Sequence, residues 1–112
     1  MKSLVKKSFL LFLISLLLVM ATACAPSSLK SCKNKMENAG YSVYDYESYR
    51  EIDGCKGGVV ATIYYGKPSY LNCLLFEDAK SAKAYYGKLK QGWLENVWVV
   101  WGTDDAYKVF KR

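Results

Sequence analysis

Cysteine supplies the most reactive side chains in this 112-residue sequence, which contains no histidine. No two cysteines are spaced as C-x-x-C, the pattern of thioredoxin-like redox pairs and zinc knuckles. Without histidine there is no Ser-His-Asp or Cys-His nucleophile, no usual zinc ligand and no common general base. We therefore predict a protein that is not an enzyme, with no catalytic residues, no metal site and no cofactor. The cysteines are Cys24, Cys32, Cys55 and Cys73.

The surroundings of Cys24 indicate export. Three lysines precede an apolar stretch at residues 9–20, and small residues follow at 21–23, directly before Cys24. This is the layout of a secretory signal. The apolar stretch is about a dozen residues long, whereas a helix that spans a bilayer needs about 20. We predict that residues 1–23 are a cleaved signal peptide, and an uncleaved membrane anchor is the less favoured alternative.

The segment "VMATACAPS" resembles the lipobox of bacterial lipoproteins, in which a small residue precedes a cysteine that is diacylated and becomes the mature N-terminus. The resemblance implies that Cys24 carries lipid of the palmitate type and holds the protein on the outer side of the cell membrane. Residues 24–28 would then be the lipidated cysteine and a short polar tether. Residues 21–23 also satisfy the small-x-small rule of the general signal peptidase, so plain secretion is the alternative. Either route places the domain outside the cytoplasm.

The remaining residues, 29–112, are enough for one small domain. Removing the three lysines of the signal lowers the formal net charge from +6 to about +3. Lysines of the mature chain cluster on a predicted helix, where a solvated face is the ordinary interpretation. We expect no nucleic-acid partner. The expected partners are the membrane, through the lipid, and a membrane or cell-wall component.

The three cysteines beyond Cys24 leave an odd number if Cys24 is lipidated. One disulfide and one buried thiol would satisfy that count, but the sequence does not determine the pairing among Cys32, Cys55 and Cys73. The same residues support an alternative function, a thiol-dependent redox or stress protein. That function requires an exposed thiolate with a lowered pKa.

Local patterns predict three helices and four strands in the order αβββαβα. A tight connection between the middle strands requires them to pair antiparallel. We predict an α+β two-layer sandwich, with a mainly antiparallel sheet of about four strands, two helices on one face and a short C-terminal helix. The predicted elements occupy residues 27–40, 41–49, 59–65, 70–76, 77–92, 96–102 and 103–112.

Two segments of the closing half, "FEDAKSAKAYYGKLK" and "WGTDDAYKVFKR", resemble small lipoprotein domains of Gram-positive bacteria. In those domains an aromatic residue ends a strand, an Ala-Lys helix with an acidic start follows, and a Gly-Thr turn opens a final amphipathic helix. The resemblance implies the α+β fold and no particular activity.

Alternation in the best strand places Val59, Ala61 and Ile63 toward the helices and turns Thr62 and Tyr64 the other way. The opposite face of the sheet is therefore predicted to be aromatic and open. Such a face can stack on sugar rings, contact another protein or lie near lipid headgroups, although cross-strand aromatic pairs also stabilise sheets without binding anything. We expect a non-catalytic binding or accessory module, or a partner subunit without a ligand of its own. The candidate binding face comprises Tyr44, Tyr46, Tyr64 and Trp98.

Overall fold

Five antiparallel strands and three α-helices form in residues 25–112, the part of the chain that the computed structural model describes. This confirms the predicted α+β class, with one strand more than expected. The helices are α1 (Leu29–Asn38), α2 (Ala79–Leu89) and α3 (Asp104–Lys111), and a 3-10 helix spans Glu47–Glu51. The strands are β1 (Ser42–Asp45), β2 (Cys55–Ile63), β3 (Ser69–Phe76), β4 (Trp93–Glu95) and β5 (Trp98–Gly102), in the spatial order β1-β2-β3-β5-β4.

The additional strand is β4, a short edge strand that pairs with β5. Glu95 lies opposite Trp98, so only two residues connect the strands. Asn96, the first of them, has a φ of 55°, a left-handed conformation that asparagine tolerates better than most residues. The sequence predicts that the last strand begins at Asn96 and predicts no element at residues 93–95. In the structure Asn96 lies in the turn, and residues 93–95 form the other strand of the hairpin.

The first face of the sheet is covered by α1 and α3, which also contact each other. Val59, Ala61 and Leu71 are completely buried there, and Ile63 is partly buried, as the alternation of β2 predicts. Phe110 packs edge-on against Trp98, with ring centroids 5.3 Å apart. The helices contribute five buried residues to this core: Cys32, Met36, Ala106, Val109 and Phe110.

The second face is covered in part by α2, so the predicted arrangement with both long helices on one face is wrong. Helix α2 contacts β3, β4 and β5, and its Ala82 joins a separate core with Leu74, Phe76 and Val99. The reason lies in β3, whose last three residues, 74–76, are all buried. Consecutive strand residues point to opposite faces, so burial of all three requires cover on both sides. The result is a helix–sheet–helix arrangement.

The chain ahead of α1 lies against the domain. Ala25 is partly buried on the first-face core and Pro26 is buried. The indole Nε1 of Trp98 donates a hydrogen bond of 2.8 Å to the Pro26 carbonyl, and Ser28 caps α1 in a capping box with Ser31. Residues 25–28, expected to form a tether, are therefore held in place.

The predicted signal peptide and Cys24 lie outside the described residues. Within residues 25–112, no helix has the length and apolarity needed to cross a membrane.

Candidate binding surface

Helix α2 packs on β3, β4 and β5, so most of the β1–β2 side of the second face lies outside its cover, although the 3-10 helix contacts β2. Two rows of side chains run across the strands there, one beginning at Ser42 and the other at Tyr44. In the first row Thr62 lies between Ser42 and Tyr70, and in the second Tyr44 is followed by Val60, then Asn72 and Trp101 on the neighbouring strands. Four strands spaced about 4.8 Å apart make the longer row about 14 Å wide. We call this surface the open half-face: Ser42, Tyr44, Val60, Thr62, Tyr70, Asn72 and Trp101.

Aromatic side chains dominate the open half-face. Tyr44 is 55% exposed and Tyr70 is 47% exposed, while Trp101 is partly buried. Trp101 lies at the boundary with the covered part of the face. Its ring meets that of Tyr46 edge-on at 6.0 Å and lies 6.5 Å from the ring of Tyr85 in α2. These contacts fix the indole next to Asn72, at the end of the longer row opposite to Tyr44.

A buried hydroxyl without a partner lies within this surface. Thr62 is 8% exposed, and its Oγ1 is the one buried side-chain polar atom of residues 25–112 that makes no hydrogen bond. Leaving such a group unpaired costs about 1–3 kcal/mol. Asn72, partly exposed in the adjacent row, also makes no side-chain hydrogen bond within the described residues. The Asn72 amide is available to a bound molecule, whereas Thr62 Oγ1 is buried and is reached only if the side chains that cover it move aside.

The open half-face carries no formal charge, because none of its seven residues is Asp, Glu, Lys or Arg. A ligand with a strong charge would therefore find no counter-ion in it. Exposed aromatic rings with neutral hydroxyl and amide groups favour a ligand that combines apolar faces with hydroxyl groups.

Of the four residues predicted to form the binding face, only Tyr44 is part of the open half-face. Tyr46 packs against the second-face core beside Trp101. Tyr64 lies just after the end of β2 and is 73% exposed.

The prediction for Trp98 is wrong, because this residue is 2% exposed and lies on the first face. Trp98 and Trp101 are three positions apart in one strand and so point to opposite faces. The register places Trp98 beside Leu75 and Trp101 beside Asn72. Aligning β5 with β3 so that Trp98 lies beside Leu75, or Trp101 beside Asn72, would have identified Trp101 in place of Trp98 as the residue on the second face.

The three cysteines of the described residues are free thiols at two separate sites. Cys32 and Cys73 are completely buried in the first-face core, whereas Cys55 is half-buried beside the second-face core. Burial raises the pKa of the Cys73 thiol well above its ordinary value. Burial also raises the pKa of Cys55, against a smaller opposing effect of the Gly57 backbone. Neither shift favours a reactive thiolate.

Two concave regions lie elsewhere on the domain. A cavity of about 480 Å³ between α1 and the 3-10 helix is lined by Leu29, Tyr49 and side chains of both charges, and Lys33 forms an ion pair with its Asp45. A cavity of about 280 Å³ beside α2 is lined in part by Ile52 and Tyr85. No unpaired buried side-chain atom lies in either one. In residues 25–112, no three metal-ligating side chains are grouped closely enough to hold an ion.

The fold and this surface define a small α+β domain with helices on both sides of an antiparallel sheet and an uncharged aromatic area on one face. No protein-family model matches the chain, and no curated protein or solved structure shows significant similarity to it. The residues of the surface and their surroundings are therefore the basis for a functional assignment.

Proposed function

We propose that the protein is an extracytoplasmic lipoprotein, anchored to the cell membrane through Cys24, whose domain is a non-catalytic module that binds a neutral saccharide chain on the open half-face. The observation that carries the proposal is the presence of two exposed tyrosine rings, Tyr44 and Tyr70, on a sheet face without formal charge. The buried, unpartnered Thr62 hydroxyl lies between Ser42 and Tyr70 on the same face.

A saccharide suits both kinds of group on this surface. The C–H faces of a sugar ring stack on aromatic rings such as those of Tyr44 and Tyr70, which bring large apolar area and a polar hydroxyl. Sugar hydroxyls both donate and accept hydrogen bonds, so one of them is able to pair with the Asn72 amide, and another with Thr62 Oγ1 once binding moves the side chains that cover it. A purely apolar ligand would leave both groups unpaired.

The position of the N-terminal segment favours a ligand that lies outside the bilayer. Pro26 is held against Trp98, on the first face and at the start of β5. The open half-face is on the other side of the sheet, and its Trp101 lies three residues further along the strand, about 10 Å away. A lipid on Cys24, two residues before Pro26, would leave that surface directed away from the membrane. This supports a cell-wall saccharide over lipid headgroups as the ligand.

The alternative of a thiol-dependent redox protein has less support. It requires a thiolate that is both accessible and stabilised. Cys32 and Cys73 are completely buried, and burial raises the pKa of the half-buried Cys55. A binding module requires none of these thiols to react.

The anchoring part of the proposal predicts that Cys24→Ala releases the protein from the membrane. Two acyl chains give stable attachment, whereas the remaining chain has no helix in residues 25–112 that could span a bilayer. We expect most of the variant in the soluble or culture fraction, and we expect the intact mass of the mature wild-type protein to include a diacylglyceryl group. Cys55→Ala is the matched control and should stay on the membrane. Membrane-bound Cys24→Ala at the mature size would exclude lipid anchoring.

The binding part of the proposal predicts opposite effects of Thr62→Val on stability and on binding. Valine keeps the shape of threonine and removes the unpaired hydroxyl, so the free energy of unfolding should rise by up to about 1 kcal/mol. The same change removes a hydrogen bond to the ligand and should weaken binding about tenfold. Denaturant unfolding and calorimetric titration with neutral wall oligosaccharides measure the two effects. Unchanged affinity in a folded Thr62→Val variant would contradict the assigned role of Thr62.

A further inference from the structure

We propose that Cys32 and Cys73 form a disulfide that ties α1 to the central strand β3, while Cys55 remains a free thiol. The inference concerns how the domain is held together and does not depend on the ligand. It rests on the proposed export in one respect, because disulfides persist in oxidising compartments and are rare in the cytosol.

The two thiols already meet in the first-face core. Cys32 lies on the buried side of α1, and Cys73 lies in the middle of β3 with Val59 and Val100 as its strand neighbours. Both are completely buried in that core as free thiols, and Cys32 is close enough to contribute to the raised pKa of the Cys73 thiol. Bond formation requires the two sulfurs to approach to about 2.05 Å.

Cys55 is excluded as a partner by its position. It packs against the second-face core, on the opposite side of the sheet from Cys32, and its Sγ donates to the Gly57 carbonyl at 3.4 Å. In the register of β2 and β3, Cys55 lies opposite Phe76 and not opposite Cys73. A bridge from Cys55 would have to pass through or around the sheet. Three cysteines allow three possible disulfides. Excluding the two that involve Cys55 leaves Cys32–Cys73.

The reaction is a thiol–disulfide exchange with a disulfide oxidant, either a small-molecule disulfide or a thiol oxidase. The thiolate of one cysteine attacks the oxidant and forms a mixed disulfide, and the second thiolate then displaces the oxidant. The two cysteines lose two electrons and two protons, and the oxidant leaves as two thiols. Burial of Cys32 and Cys73 places this exchange before α1 docks on the sheet. Once formed, the bond is shielded from reductants.

The test uses the full chain carrying Cys24→Ala, so that Cys32, Cys55 and Cys73 are its remaining cysteines. The protein is purified in detergent, denatured, refolded in a buffer of reduced and oxidised glutathione, quenched with acid, denatured again and alkylated. We expect one alkyl label before reduction and three after it, and a peptide map that joins Cys32 to Cys73. Three labels before reduction, or a bridge that includes Cys55, would overturn the proposal.

Two alanine variants test the structural role of the bond. Reduction should lower the midpoint of thermal unfolding by about 10–20 °C in the Cys24→Ala chain and in its matched control with Cys55→Ala added. Adding Cys73→Ala instead should abolish this sensitivity to reductant. If that variant does not fold, the label count on the parent chain still decides the pairing. Failure of the proposed export would appear as a wild-type protein whose intact mass still includes residues 1–23 and no diacylglyceryl group, and it would leave the label count unchanged.

Discussion

Replacing Trp98 by alanine is expected to lower the free energy of unfolding by about 3–5 kcal/mol. The indole is 2% exposed and packs against Phe110, so its removal leaves a large cavity in the first-face core. The variant also loses the hydrogen bond to the Pro26 carbonyl, which releases the segment ahead of α1. A domain of this size has a total stability of about 5–10 kcal/mol, so much of it would be unfolded near its working temperature.

Equilibrium unfolding in urea measures this effect, with Tyr64→Ala as the matched control. Tyr64 is 73% exposed, and its loss should change stability by less than about 0.5 kcal/mol. The pair also tests the corrected placement of Trp98, since both residues were predicted from the sequence to share one open face. A Trp98→Ala protein with wild-type stability would show that the indole is not part of the core.

Replacing Tyr44 and Tyr70 together by alanine is expected to abolish saccharide binding while the domain stays folded. Both rings are about half exposed, so their removal leaves no enclosed cavity and should cost about 1 kcal/mol or less per residue. If a ring stacked on a sugar contributes as much as one in an aromatic pair, about 0.5–1.5 kcal/mol beyond its buried area, losing both rings and the area they bury should weaken binding about tenfold or more.

Calorimetric titration with neutral oligosaccharides from the cell wall measures this loss, and urea unfolding confirms that the fold is intact. Tyr65→Ala is the matched control, because Tyr65 is 93% exposed and lies outside the open half-face. Full affinity in a folded Tyr44→Ala/Tyr70→Ala protein would place the ligand elsewhere. Equal losses in the control would indicate a nonspecific effect of removing tyrosine.

Local signals in the sequence predict most of the elements. Leu29, Cys32 and Met36 follow helical spacing, and the observed α1 begins after Ser28, whose side chain caps it. Asp78 accepts a hydrogen bond from the backbone of Ser81 at the start of α2, as an acidic residue at a helix start should. Both features depend on neighbours within four residues, which a sequence displays directly.

The layer arrangement depends on contacts between residues that are far apart in the sequence. The sequence nevertheless carries part of the information about it. Leu74, Leu75 and Phe76 form a continuous apolar run, a pattern typical of a strand buried on both faces. Val99 and Val100 repeat it in β5. These runs predict cover on two sides, whereas the alternation of β2 alone predicts one covered face. Which helix supplies the cover is decided by tertiary packing.

The binding surface was predicted only in outline for the same reason. Alternation along β2 assigns Thr62 to the face opposite Ile63, and the structure agrees. Tyr70 is exposed, and Trp101 lies at the edge of the covered area, because α2 covers only part of the second face. The unpaired Thr62 hydroxyl is a property of its surroundings in three dimensions, and no residue pattern displays it.

The most direct test of the proposed function is a titration of the isotope-labelled mature chain with neutral wall oligosaccharides, followed by NMR. We expect shifts of the Thr62 backbone amide, the Asn72 side-chain amide and the Trp101 indole, with the residues lining the 480 Å³ cavity unchanged. Shifts confined to that cavity, or no shift at millimolar oligosaccharide, would contradict saccharide binding on the open half-face.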